Sequence, residues 1–194
     1  MRSSVLSISR ATAAAVAIAS IVAMTAAAQE QRRFNIGRAV TEAELSSWNI
    51  DVKADGVGLP PGRGSVQEGK AIYETKCIAC HGRDGQGQPM DRLAGGQGTL
   101  ESAKPVKTIG SYWPYATTVF DYVRRAMPLD RPQSLTADEA YALTAYLLQL
   151  NGIVGSDAVV TAQTLPKVRM PNVAAFRPDP RPDVSNSACE RNCR

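Results

Sequence analysis

Residues 77–81 read Cys77-Ile78-Ala79-Cys80-His81, and this histidine is the only one in 194 residues. A Cys-x-x-Cys-His run is the signature of c-type haem attachment: two sulfurs add to the vinyl groups of the porphyrin, and the imidazole binds the iron. On a helical turn, i and i+3 share a face and i+4 lies just beyond, so Cys77, Cys80 and His81 can all face one planar ring. Two plainer readings compete. A structural zinc site wants four N or S ligands, and only Cys189 and Cys193 remain to supply them, far along the chain. A redox dithiol leaves unexplained why the sole histidine follows at once. The expected cofactor is therefore one covalent haem c. A single histidine also excludes a bis-histidine haem within the chain, a three-His metal site and a second Cys-x-x-Cys-His haem.

The N-terminus agrees with export, which haem c attachment requires. Arg2 and Arg10 form a basic start, Ala11 to Met24 is apolar, and Ala26-Ala27-Ala28 precedes Gln29 as a small-residue cleavage site. Residues 1–28 are expected to be a secretory signal, with a periplasmic product. A retained anchor is the alternative, but the apolar run is short and alanine-rich for a span. No Cys stands directly after that run, which argues against a lipoprotein anchor, and no later segment is expected to cross a membrane. The net charge of +4 includes two arginines of the leader. What remains is too balanced to argue for nucleic acid or an anionic surface as partner.

Local signals mark out helices. Thr41-Glu42-Ala43-Glu44 and Ser65-Val66-Gln67-Glu68 are capping boxes. The first opens a short helix to about Trp48. The second opens a helix with Val66, Gly69, Ile72 and Tyr73 at helical spacing, which delivers Cys77. Gly82 to Gly87 is a glycine-rich turn without the Lys-Ser/Thr ending of a phosphate loop. Residues 88–111 carry little pattern and would wrap the haem edge. A helix is expected from about Ala116 to Ala126, with Arg124 and Arg125 in its last turn, where the dipole favours cations, and Pro128 ending it. Thr136-Ala137-Asp138-Glu139 is a third capping box, opening a helix from Ala137 to about Leu150 that Asn151-Gly152 stops. Beyond Gly152 prolines multiply and periodicity fades, giving an extended tail laid over the domain or a partner, with disorder as the alternative.

With its histidine spent on one face of the iron, an electron-transfer haem would take methionine on the other, which raises the reduction potential. Met127, at a helix end before Pro128, is the expected ligand. Met170, before Pro171, is the next candidate. Met90 lies on the His81 loop, poorly placed to reach the opposite face. Met90 and Met170 are read instead as core filler. If no methionine binds, the iron is open, and a haem enzyme or gas sensor becomes conceivable.

The helix leading into Cys-x-x-Cys-His-Gly, the Met127-Pro128 strap and a final helix with Ala145-Tyr146-Leu147 resemble class I cytochromes c over about residues 65–152. The resemblance implies an all-α, class I cytochrome c fold with N- and C-terminal extensions: 1–28 signal, 29–64 N-terminal extension, 65–152 cytochrome domain, 153–194 Pro-rich C-terminal extension. It further implies that the first helix crosses the last, with small Gly69 and Tyr73 near Tyr146.

A narrower likeness is carried by Gly37-Arg38, Trp48-Asn49-Ile50-Asp51-Val52, Gly58-Leu59-Pro60-Pro61-Gly62, Tyr112-Trp113-Pro114-Tyr115, Met127-Pro128-Leu129, Leu150-Asn151-Gly152 and Val168-Arg169-Met170-Pro171-Asn172. Together with Pro182-Asp183-Val184, these are similar to the SoxD type, the cytochrome subunit of sulfur dehydrogenases. That resemblance implies a molybdopterin-containing, sulfite-oxidase-like SoxC partner that oxidises sulfane sulfur or sulfite. It also implies a soluble cytochrome c as electron acceptor and no substrate chemistry on this chain alone. Some SoxD proteins carry a second haem domain, which this chain lacks. The terminal Cys189 and Cys193 fit the family's Cys-x-x-x-Cys. A disulfide is the default in an oxidising compartment, and Cα atoms about 6 Å apart on a helical turn are within reach. A free periplasmic shuttle is the competing function.

Overall fold

The computed structural model describes residues 36–177. The expected leader and the Cys189/Cys193 pair lie outside the described residues. The chain divides into two compact units, Met1–Glu42 and Ala43–Arg194. Of the first, the described residues 36–42 are all exposed. Helix α1 (Glu42–Ser46) buries none of its side chains.

In the second unit, a three-residue strand β1 (Arg63–Ser65) runs straight into α2 (Val66–Lys76). The capping box read from the sequence is formed here: Ser65 Oγ accepts from the Glu68 N–H at 3.2 Å, and the Glu68 carboxylate accepts from the Ser65 N–H at 2.7 Å. One turn of helix, α3 (Ile78–His81), follows, then a long loop, then α4 (Ala116–Ala126) and α5 (Ala137–Leu150). Both bounds of α4 and of α5 are those expected. The capping box at Thr136 closes the same way, with Thr136 Oγ1 accepting from Glu139 N–H and Glu139 from Thr136 N–H. Met127 is extended at φ −117°, ψ 149°, as a residue before proline should be.

Helix α5 is the centre of the unit. Every residue from Ala140 to Leu148 is buried, because α2, α4, β1 and the second strand, β2 (Val159–Thr161), all pack on it. Ala140, Tyr141, Leu143, Thr144, Leu147 and Leu148 recur at helical spacing in the sequence. Ala142, Ala145 and Tyr146 are buried as well, since the helix is covered on all sides. Helix α2 crosses α5 where expected. A Cβ on Gly69 would run into the Ala142 carbonyl, and the Tyr73 and Tyr146 rings meet at 5.2 Å. Lys76 Nζ reaches Glu139 Oε1 at 2.6 Å, tying the end of α2 to the start of α5.

The two strands were not legible. They pair antiparallel, with Gly64 opposite Val160. Three residues are too few to show an alternating pattern, and Gly64 packs so closely on Ala142 that any side chain would collide with its backbone. Of the two readings of the segment after Gly152, an extended stretch laid over the domain describes it as far as Met170. Val160, Leu165 and Met170 are core residues, Leu165 with no exposure at all. Full burial of such a side chain contributes roughly 1.5–3 kcal/mol, enough to hold an extended segment with little regular structure.

Candidate functional site

The Cys77–His81 run sits on a hinge. Cys77 leaves the helical region at φ −124°, ψ −29° while its N–H still donates to Tyr73 O. Its carbonyl then accepts from both Cys80 N–H (3.1 Å) and His81 N–H (3.0 Å), starting α3. Gly82, at φ 77°, stops that turn in a conformation only glycine adopts readily. The reversal presents the Gly82 carbonyl to Tyr73, whose hydroxyl donates to it at 2.8 Å. Burial, with Cys77 and Tyr146 adding to it, pushes the Tyr73 hydroxyl up to about 12, so it remains a neutral donor.

These residues suit a covalent haem. Cys77 and Cys80 are half-buried free thiols, and Cys77 packs against the core. Burial pushes the Cys77 thiol up to about 11 against the pull of Lys76, with Cys80 raising it further. That environment penalises the thiolate that a metal would need and tolerates an uncharged thioether. His81 Nδ1 lies 2.8 Å from the Asp91 carbonyl oxygen. A carbonyl only accepts, so Nδ1 must carry the proton, and the lone pair of the neutral ring is on Nε2, free for iron. Among the described residues, no group of three or more His, Cys, Asp or Glu is placed to hold a metal ion.

The loop after His81 folds back on it. Gly87 N–H donates to His81 O (2.9 Å), Met90 N–H to Cys80 O (3.0 Å), and Leu93 N–H to Gly85 O (2.8 Å). The stretch 88–111, patternless in sequence, is pinned by hydrogen bonds at several points. Thr108 and Ser111 are buried and exchange side-chain and backbone bonds, and Thr108 Oγ1 donates to Gly95 O at 2.5 Å. Asn151, expected only to stop α5, reaches into this loop. Its Nδ2 donates to Leu93 O (3.1 Å) and Leu147 O (2.9 Å), and its Oδ1 accepts from Gly95 N–H (3.2 Å). The available sequence signal was an asparagine at a helix end, a residue that competes for backbone bonds.

Met127 lies on a different element, half-buried at the end of α4, with its N–H on Val123 O. The helix end is anchored by Arg125. Its Nη2 bonds Asp51 Oδ1 at 2.7 Å and Asp121 Oδ1 at 2.9 Å, and Asp121 also accepts from Val52 N–H. Sequence reading assigned Arg125 to the helix dipole alone. Met170 is fully buried core, as expected; Met90 is 44% exposed and is not core filler. Among the described residues no helix is long and apolar enough to cross a membrane.

Comparison with known proteins gives three findings. The model of the cytochrome c family matches residues 66–151. A thiosulfate dehydrogenase of Stutzerimonas stutzeri (strain A1501) is 32% identical over 93 residues, 47% of this chain but 29% of that protein, so the chain spans less than a third of that relative. A chain of the crystal structure of the sulfane dehydrogenase SoxCD from Paracoccus pantotrophus is 43% identical, with a TM-score of 0.72, over 84% of this chain and 83% of that one.

Proposed function

We propose a function from one premise: the chain belongs to the cytochrome c family, as a class I member of the SoxD type carrying covalent haem c. It is the monohaem electron-transfer subunit of a molybdenum-containing sulfur or sulfite dehydrogenase. It accepts electrons from a SoxC-like, molybdopterin-containing partner and passes them to a soluble cytochrome c in the periplasm. The observation that carries this is the 43% identity to a SoxCD chain over 84% of the sequence. That likeness runs well beyond residues 66–151, the part matched by the cytochrome c family at large. A free electron shuttle needs only those residues.

On this reading the residues take the following roles. Cys77 and Cys80 form the thioethers. His81, its ring held by the Asp91 carbonyl, would bind the iron through Nε2. Met127, on the anchored end of α4, would be the second iron ligand. So held, the haem supplies a one-electron centre whose potential methionine raises. Tyr73 keeps the Gly82 carbonyl turned inward and so fixes the turn that follows His81. Substrate chemistry belongs to the partner. Residues 1–28 direct export and are removed, and Cys189 and Cys193 pair in the oxidising compartment.

The test is reconstitution with a SoxC-type molybdoprotein. Sulfane or sulfite substrate should reduce the haem in the mixed pair, and in neither protein alone. A chain that purifies without such a partner and stays oxidised beside it would refute the assignment and favour the shuttle.

A further inference from the structure

We propose that Asn151 is a positioning residue for the His81 imidazole, acting through the loop that carries the Asp91 carbonyl. The inference rests on the reading of His81 as an iron ligand. Asn151 is 8% exposed, and its side-chain amide is fully used. One N–H goes to Leu147 O on the last turn of α5, and the other to Leu93 O on the loop. The amide therefore bridges a rigid helix, buried on all sides, to a segment with no regular structure. The Oδ1 bond to Gly95 N–H and the Gln97 Nε2 bond to the Asn151 carbonyl (3.3 Å) hold the same loop further along. Gly110 leaves the space this requires, since a Cβ there would strike the Asn151 side chain. Asp91 stands two residues before Leu93, and its carbonyl is the acceptor for His81 Nδ1–H. Leu93 is also fixed by its own N–H on Gly85 O. The carbonyl that orients the ring thus hangs from a strap whose far end is the Asn151 amide.

A hydrogen bond at Nδ1 raises the basicity of the ligating nitrogen. Loosening the strap weakens that bond and so lowers electron donation to the iron. Asn151→Asp keeps the side-chain shape, loses both N–H donors and sets a carboxylate against two carbonyls. The full-length, haem-loaded ferric protein is used, with NMR of the His81 ring. In the unaltered protein the ring protons should show paramagnetic shifts; their absence would remove the premise that His81 binds iron, and the proposal with it. With those shifts present, Asn151→Asp should make His81 Nδ1–H exchange about tenfold faster, as expected for losing on the order of 1.5 kcal/mol of hydrogen bonding, and should raise the reduction potential.

Tyr141→Phe is the control. It removes the Tyr141 hydroxyl bond to Pro60 O, away from this loop. It should lower stability and leave exchange and potential unchanged. Equal effects of the two variants, or no effect of Asn151→Asp on ring exchange, would overturn the proposal. Should Asn151→Asp fail to fold, native-state exchange of the unaltered protein decides: His81 Nδ1–H and Gly95 N–H should open with the same denaturant dependence, and independent opening would overturn it.

Discussion

Replacing Gly69 by alanine should destabilise the protein, although Gly69 lies inside helix α2 where alanine is ordinarily the better residue. The helix-propensity gain is about 1 kcal/mol. Against it, the new Cβ would overlap the Ala142 carbonyl group and stand 2.9 Å from Tyr146 Cβ. Overpacking typically costs about 1–3 kcal/mol. The obstruction here is backbone of the most buried helix, which cannot rotate aside as a flexible side chain could, so the cost should lie near ~3 kcal/mol. The net loss is then roughly 2 kcal/mol, or about 4–8 °C in Tm for a unit of this size. Thermal and urea unfolding of the oxidised, haem-loaded protein, followed by far-UV circular dichroism, measures it. Lys70→Ala, on an exposed position of α2, is the reference and should stay within about 0.5 kcal/mol of the parent. Adding Ala142→Gly should give no rescue, because the carbonyl that blocks Gly69→Ala remains. A Gly69→Ala protein as stable as the parent would refute the close crossing of α2 and α5.

Three further outcomes are expected. Met127→Leu should abolish the far-red methionine–iron absorption band and lower the potential, whereas Met170→Leu should leave the band in place, Met170 being core; a band surviving Met127→Leu would displace Met127 as ligand. The Glu139 carboxyl is held below its ordinary 4.5, first by the Lys76 hydrogen bond and then by the Thr136 N–H. A depressed carboxyl stabilises the fold above its unfolded value and loses that contribution as pH falls. Glu139→Gln should therefore be less stable by roughly 0.2–1 kcal/mol at neutral pH, with the gap closing as pH falls below 4.5 in urea titrations; a gap independent of pH would contradict the ion pair. Leu165→Ala should cost about 2–5 kcal/mol by chemical denaturation, since Leu165 has no exposed surface; a loss near zero would mean the segment after Gly152 is not part of the core.

What could be read from residue order is what forms within about one helical turn. The capping boxes at Ser65 and Thr136, the stop before Pro128 and the bounds of α4 and α5 are set by residues three or four apart, so each appeared in the fold as written. The Cys77–His81 run is local in the same sense: two thiols and an imidazole come to one hinge whatever surrounds them. Tertiary structure alone decided the rest, because the partners are remote and individually unremarkable. Asn151 meets Leu93 across 58 positions, Arg125 meets Asp51 across 74, and the strand at Val159 pairs with a three-residue segment containing a glycine. A hydrogen bond donor carries no mark of which distant carbonyl it will find. So residue order announces the haem attachment run and its lone histidine, while packing around α5 makes the segment after Gly152, as far as Met170, part of the core.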